Sequence, residues 1–300
     1  MSIKIGSYNN GLYNLSIIND KLVNLNKINN QEKVSYLINY LDSYAYLYLK
    51  DGIQYIKIDQ QDLKLDEGAC HISYDQVNEL IYVSFYGAGL LKVLKKNNSL
   101  WKISETISYG KNSHIHFAKY IDSQNVLAVC DLGLNKVLLY RVVNNKLELV
   151  NTYNFTNNEG PRHFIEHPTL PFIYVMNELN PSVTTLEISN NNLSLVNHID
   201  LGKGSGSAIR MDKLGKFLYV AVRDSNEIIV FKILKKGLLE IVQKVQTYGD
   251  HPRDFNLVYN DKYLLVANMK SDNLTLFEIK EGKLNLLEKD FYFLAGCTII

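Results

Sequence analysis

Short apolar stretches, each bounded by turn residues, run along the whole chain. The segment 114–150 shows the pattern most clearly: it reads HIHFAKYI, NVLAVCDL, KVLLYRV and KLELV, with Asp, Ser, Asn or Lys between the stretches. Apolar stretches of this length between turn residues indicate β-strands joined by hairpins. No long segment carries a convincing helical period, so the pattern predicts an all-β protein.

This group of four strands recurs along the chain. Its most regular marker is a leucine that opens the last strand of each unit, as in NDKLVNL, NNKLELV and EGKLNLL. The leucine occurs at positions 22, 63, 100, 147, 193, 238 and 284, at intervals of 41, 37, 47, 46, 45 and 46 residues. Seven four-stranded units at this spacing predict a seven-bladed β-propeller. We expect residues 1–300 to form a single propeller domain.

The two chain ends complement each other. The N-terminal stretches IKIGSY, GLYNLSI and KLVNLNKI resemble the second, third and fourth strands of a unit, and the C-terminal GCTII resembles the missing first strand. One blade built from both termini would remove the open edge that an incomplete ring leaves. The unit between Val34 and Leu65 is short and degenerate, so its completeness stays open.

Composition and charge exclude some classes of partner but do not indicate a particular function. Hydrophobic residues make up 46% and charged residues 21% of the chain, a globular balance. A net charge of +1 gives no overall field for nucleic acid or an anionic membrane, so we expect neither partner. With no apolar leader and no stretch near the length of a membrane span, we expect a cytoplasmic protein, a monomer or weak homodimer. Three cysteines without CxxC spacing predict buried, reduced thiols: Cys70, Cys130 and Cys297.

Candidate chemistry lies at equivalent positions of successive units. The starts of the first strands read GACHISY, NSHIHFA, GPRHFIE, GSGSAIR and DHPRDFN, and the ends of the second strands read VSFYGAG, AVCDLGL, VMNELNP, VAVRDSN and VANMKSD. In a propeller both sets of positions meet at one mouth of the central channel, and mixed charge there predicts a site for an anionic polar ligand. The charged or imidazole residues at these positions are His71, His114, His116, Asp131, Arg162, His163, Glu178, Arg223, Arg253 and Lys270.

Several of these stretches resemble one known family. GPRHFIEHPTLPFIYVMNEL and HPRDFNLVYNDKYLLVANMKSDNLTLFEI are similar to segments of the propeller-type lactonases, which include bacterial 6-phosphogluconolactonases and are related to fungal muconate-lactonizing enzymes. SHIHFAKYIDSQNVLAVCDLGLNKVLLYRV resembles the blade with a His-x-His start, and HISYDQVNELIYVSFYGAG the blade with an Asn-Tyr-x-x-Gly turn, with Phe85 in place of Asn. The resemblance implies hydrolysis of 6-phospho-D-glucono-1,5-lactone to 6-phospho-D-gluconate, in the pentose phosphate pathway, without a cofactor.

The resemblance also implies roles for particular residues. Arg162 begins an inner strand and Glu178 ends the next, antiparallel strand, so both should project at one mouth. Glu178 would take a proton from the attacking water, and Arg162 or Arg253 would stabilise the oxyanion. The remaining arginine would bind the phosphate, for which a guanidinium is well shaped. The implied catalytic group is Glu178, Arg162, Arg253 and His116, and the candidate substrate-binding residues are His71, His114, His163, Arg223 and Asp131.

Simpler interpretations stay open. Glu178 and Arg162 could form a structural ion pair between two strands, and the histidines could bond to the backbone of neighbouring blades. His71, His116 and nearby acids lie in different units and form no metal motif, so we expect no metal. The protein could also be a hydrolase or cycloisomerase of another lactone, or a non-catalytic propeller that binds a sugar, a peptide or a protein. A partner-binding propeller should expose an apolar patch on one rim, whereas charge concentrated at the mouth favours an enzyme.

Overall fold

Seven antiparallel sheets of four strands each make up the protein in a computed structural model, which describes residues 2–300. The terminal blade joins β28 (Gly296–Ile299) to β1 (Ile3–Ser7), β2 (Gly11–Ile18) and β3 (Lys21–Lys27). Blade 1 contains β4 (Lys33–Tyr40), β5 (Ser43–Lys50), β6 (Ile53–Ile58) and β7 (Gln61–Leu65). Blade 2 contains β8 (His71–Asp75), β9 (Leu80–Phe85), β10 (Leu90–Asn97) and β11 (Leu100–Ser108). Blade 3 contains β12 (Ile115–Ile121), β13 (Val126–Asp131), β14 (Lys136–Val143) and β15 (Lys146–Asn154).

The last three blades repeat the same strand order. Blade 4 contains β16 (Pro161–Glu166), β17 (Phe172–Asn177), β18 (Ser182–Ser189) and β19 (Asn192–Asp200). Blade 5 contains β20 (Gly206–Met211), β21 (Phe217–Val222), β22 (Glu227–Ile233) and β23 (Leu239–Gln246). Blade 6 contains β24 (Pro252–Val258), β25 (Tyr263–Asn268), β26 (Asn273–Lys280) and β27 (Lys283–Tyr292). The only helical segments in residues 2–300 are two short 3₁₀ turns, Asp122–Gln124 and Lys235–Gly237.

The first strands of the blades form a closed ring. Each contacts the first strand of the next blade, from β4 through β8, β12, β16, β20 and β24 to β28, which contacts β4 again. The prediction of a seven-bladed propeller closed by both termini is therefore confirmed. The degenerate unit between Val34 and Leu65 is a complete four-stranded blade. No helix within residues 2–300 has the length and apolar character needed to cross a membrane.

The core lies between neighbouring blades. In β17, Ile173 and Val175 pack with blade 3, whereas Tyr174 and Met176 pack with blade 5. As the second strand of its blade, β17 is buried on both faces. Its sequence is therefore a continuous apolar run rather than an alternation of apolar and polar residues. Blade-to-blade packing therefore fixes the ring and the direction in which each first strand meets the channel.

A β-bulge near the start of the first strand is shared by most blades. In blades 1, 3, 4, 5 and 6 the register with the second strand shifts within the first residues of the first strand. In the terminal blade the same register shift lies in β28, opposite Gly6 and Ser7 of β1. In blade 2 the corresponding residue is Cys70, which precedes β8 and donates its N–H to Ser84 O. A bulge carries an extra residue and re-aims its side chain. We call the extra residues the bulge ring: Ser35, Cys70, His116, Arg162, Ser207, Arg253 and Cys297.

Candidate active site

The bulge ring surrounds the upper part of the central channel. A cavity of about 20 Å³ lies there, and every member of the ring except Ser207 lines it. Members of the ring also bond to the next blade: Arg162 Nη1 donates to Ser207 O (2.7 Å) and Ser207 Oγ donates to Arg253 O (2.8 Å). The bulges therefore place polar and charged side chains at one level of the channel. We call the channel opening at this level the mouth.

Glu178 directly follows β17 and is fixed by its backbone. Its N–H donates to Gly160 O (2.8 Å), and its carbonyl oxygen accepts from Gly206 N–H (3.1 Å) in blade 5. Gly160 has a φ of +65°, a conformation that favours glycine, and a Cβ at Gly206 would lie 2.0 Å from Asn177 O. Two glycines thus allow the close backbone approach that turns the Glu178 side chain into the mouth.

Two arginines share the Glu178 carboxylate. Arg162 Nε lies 2.9 Å from Oε2, and Arg223 Nη2 lies 2.9 Å from Oε1. His116 Nε2 is 4.0 Å from Oε2. Arg162 is 3% exposed and the Glu178 side chain 20%, so the carboxylate reaches solvent while its partners lie beneath it. The expectation that Arg162 and Glu178 project at the same mouth agrees with this geometry.

The surroundings fix which of these groups carry charge. Burial raises the pKa of Glu178, but Arg162 and Arg223 outweigh it, so the pKa lies below its ordinary value and the group is a carboxylate at neutral pH. Burial, then Arg253, lowers the pKa of Arg162 to about 10, which leaves it charged. Burial, then Arg162, lowers the pKa of His116 well below its ordinary value. His116 is therefore a neutral imidazole beside a charged site.

Arg253 differs from the other two arginines. Its Nε donates to the Tyr8 hydroxyl (3.2 Å), and none of the ion pairs formed within residues 2–300 involves it. Burial raises the pKa of Tyr8, which stays a neutral phenol. Close by, burial and then Arg223 and Lys270 lower the pKa of His251 to about 4. On the blade 5 and blade 6 side of the mouth, Arg223 is thus paired with Glu178, whereas the partner of Arg253 is a phenol rather than a carboxylate.

His71 and His163 lie lower in the channel than His116. The His163 ring lies 5.0 Å from the His116 ring and 5.8 Å from the His71 ring, and Phe117 and Tyr36 pack against both. Burial lowers the pKa of both histidines well below the ordinary value, so both are neutral. These two histidines therefore contact the candidate catalytic group through His116 rather than through Glu178.

His114 and Asp131 have structural partners. The His114 ring stacks on Tyr86 at 4.4 Å, and its Nδ1 bonds to Tyr86 O (2.9 Å). Asp131 is fully buried and accepts from Ser113 Oγ (2.7 Å), His114 N–H (3.0 Å) and Leu134 N–H (2.9 Å). These contacts fit the interpretation of His114 as a residue bonded to a neighbouring blade. Asp131 holds the connection that precedes β12.

Several residues of the mouth were not singled out by charge. Tyr8 lies in the turn after β1, and Ser35, Cys70 and Cys297 are small, uncharged members of the bulge ring. The signal common to Ser35, Cys70 and Cys297 is position, because each lies in the bulge at the start of a first strand, as Arg162 and Arg253 do. Cys130 and Cys297 are buried, as predicted, whereas Cys70 is only half-buried; all three are free thiols.

A propeller that gathers three guanidinium groups around one carboxylate at its channel mouth has the features of a site for an anionic small molecule. The model of the family described as lactonase, 7-bladed beta-propeller matches residues 3–299. The chain belongs to this family of lactone-hydrolysing propellers.

Individual relatives agree with the family. The chain is 31% identical over 239 residues to the 6-phosphogluconolactonase of Bacillus subtilis (strain 168), which covers 73% of this chain and 68% of that protein. The crystal structure of a Lactobacillus plantarum protein matches with a TM-score of 0.89 and 25% identity, over 100% of this chain and 99% of the other. The periplasmic gluconolactonase PpgL of Pseudomonas aeruginosa matches with a TM-score of 0.87 and 19% identity, over 100% and 98%. This last likeness shows the fold.

Proposed function

We propose that the protein hydrolyses 6-phospho-D-glucono-1,5-lactone to 6-phospho-D-gluconate. The observation that carries the proposal is the charge at the mouth, where Arg162, Arg223 and Arg253 lie around Glu178, while Asp254 at the bulge-ring cavity is paired with Arg210. Two positive charges remain in excess, and a phosphate monoester brings about −1.5 to −2 charges at pH 7. The family and the relative in Bacillus subtilis support the same chemistry.

The arginines divide into two roles on this proposal. Arg162 lies beside Glu178 and stabilises the oxyanion that develops when water attacks the lactone carbonyl. Arg253, which lacks a carboxylate partner, binds the phosphate, and the Tyr8 hydroxyl orients its guanidinium. Arg223 lies between the two, because it contacts Glu178 and also influences His251 on the phosphate side.

Glu178 is the base that takes a proton from water. Two guanidinium groups make its carboxylate a weak base in the free protein. When the substrate phosphate competes for Arg223, the carboxylate loses part of this stabilisation and its basicity rises. Binding of the phosphate thereby strengthens the base at the moment it is needed. The water oxygen bonds to the carbonyl carbon, the ring C–O bond breaks, and the proton passes through Glu178 to the leaving alkoxide.

The test is the hydrolysis of freshly made 6-phosphogluconolactone, with the product oxidised by 6-phosphogluconate dehydrogenase as the readout. Glu178→Gln should lower kcat by about 10²–10⁴-fold, the usual value of a general base. The matched control is Glu166→Gln, which removes a carboxylate paired with Lys119 at the other end of β16. A wild-type rate equal to the spontaneous rate would refute the proposal and favour another lactone or a binding role. Activity that survives in Glu178→Gln would keep the substrate and refute the role of Glu178.

A further inference from the structure

The gap between His116 and Glu178 has the dimensions of a water-bridged contact. His116 Nε2 and Glu178 Oε2 are 4.0 Å apart, too far for a direct hydrogen bond. Oε2 is buried and accepts no hydrogen bond from any group in residues 2–300, although Arg162 Nε lies 2.9 Å away. A buried carboxylate oxygen without a donor is rare, and a separation above 3.5 Å between polar atoms is typical of a bridging water.

The cavity beneath this gap presents further polar atoms without partners. Within residues 2–300, Ser35 Oγ, His116 Nδ1 and both ring nitrogens of His163 are buried and have no hydrogen-bond partner, and all three residues line the 20 Å³ cavity. A water needs about 10–15 Å³ of such space and two to four polar partners. The cavity meets both requirements.

Resting on the proposed function, we propose that Glu178 and His116 hold the hydrolytic water between them, and that the bulge-ring cavity supplies it. Glu178 Oε2 accepts one proton of this water, and the neutral His116 ring fixes its orientation. The water oxygen then adds to the lactone carbonyl carbon from below, while the sugar phosphate occupies the mouth above. His116 is accordingly a residue that positions the nucleophile.

A second cavity lies on the other side of the bulge-ring cavity from the mouth. This cavity of about 330 Å³ enters from the opposite end of the channel and is lined by Ser73, Lys119 and Arg210. Tyr36 and His163 line both cavities and form the partition between them. A water in the bulge-ring cavity is thus enclosed by Tyr36 and His163 on the side away from the mouth.

Crystallography of the substrate-free protein at about 1.5 Å tests the binding site independently of catalysis. We expect ordered water within hydrogen-bond distance of Glu178 Oε2 and His116 Nε2, and a second water near Ser35 and His163, since buried polar groups with this much space are hydrated. Well-defined density without a water between Glu178 and His116 would overturn the inference. Because this measurement needs no substrate, it stands even if 6-phosphogluconolactone is not hydrolysed.

Kinetics test whether the water is the nucleophile. His116→Phe keeps the ring and removes its nitrogens, and should lower kcat by about 10–10²-fold, somewhat less than loss of the base, with KM within about twofold. His116→Gln restores a polar side chain and should recover part of kcat. The matched control is His198→Phe in the outer strand β19, far from the channel, which should keep the wild-type kcat.

A second variant leaves His116 and Glu178 intact. Ser35→Val fills the cavity with methyl groups and should lower kcat without raising KM, whereas Ser35→Ala keeps the space and should keep most of the rate. Cys130→Val, in the core between blades, controls for a general packing change. Unchanged kcat in both Ser35→Val and His116→Phe would overturn the nucleophilic role of the water. If the wild-type protein does not hydrolyse the lactone, the proposed function is refuted. Crystallography alone then tests the water site.

Discussion

The two ends of the central channel both carry charged side chains, but they pair them differently. Toward the far end, Lys119 pairs with Glu166 at 2.7 Å, and Arg210 pairs at 2.8 Å with Asp254, which itself lines the bulge-ring cavity; each cation has one acid. At the mouth, two arginines share Glu178 and Arg253 has no acid. Both cations of the far end thus have an acid as partner, whereas Arg253 at the mouth has none.

This difference separates structural charge from functional charge. A buried ion pair with matched partners holds elements together and needs nothing further. The half-buried guanidinium of Arg253 has a neutral phenol as its partner, so it can still form a charge-assisted contact with an anionic ligand. The number of charged residues would not distinguish the two ends of the channel, because both contain arginine, acid and histidine or lysine. The two ends differ in whether every cation has an acid as its partner.

Among the changes that test this comparison of the two ends, the largest effect should come from removing the cation that has no acid partner. Arg253→Gln should reduce kcat/KM for 6-phosphogluconolactone by about 30-fold or more, because loss of one partner of a buried charge contact costs about 2–5 kcal/mol. The loss should be much smaller with D-glucono-1,5-lactone, which has no phosphate. Steady-state kinetics with both lactones measure the difference.

Arg210→Gln is the matched change at the far end. It breaks the pair with buried Asp254 and should lower the unfolding free energy while leaving the ratio of the two kcat/KM values unchanged. An equal loss with both lactones in Arg253→Gln would contradict the phosphate role and indicate that Arg253 acts on the part common to both substrates.

The sequence predicts much of the fold and part of the site. The leucine at intervals near 46 residues and the split terminal blade follow from periodicity, so the blade count and the closure could be predicted. Arg162 and Glu178 could be placed at one mouth because antiparallel neighbours bring these strand ends together. The pairing of Arg223 with Glu178 could not, since it crosses from blade 5 to blade 4. Tyr8 and Ser35 could not be predicted either, because an uncharged residue in a turn or at a bulge carries no signal beyond its position.

Asp131 tests whether pairing, rather than nearness to the mouth, decides the role of a buried acid. Its carboxylate accepts three hydrogen bonds, from Ser113, His114 and Leu134. Asp131→Ala should lower the unfolding free energy by about 3 kcal/mol, at about 1 kcal/mol for each lost bond, and change kcat/KM by less than about threefold. Asp131→Asn retains one acceptor oxygen and should cost less. A large rise in KM in a folded variant would restore Asp131 to the substrate-binding group.

The smallest effect concerns the neutral middle of the channel, between its two charged ends. Burial, then Lys119 and Arg162, holds the pKa of His71 well below its ordinary value. As pH falls below about 6.5, the unfolded chain takes up a proton at this histidine while the folded protein does not, so stability falls by up to about 2 kcal/mol at pH 5. His71→Phe, whose ring would lie beside Phe117, removes this contribution. Urea unfolding at pH 7.5 and 5.0 should show a smaller decrease in the variant, and an equal decrease would mean that His71 is protonated in the folded channel.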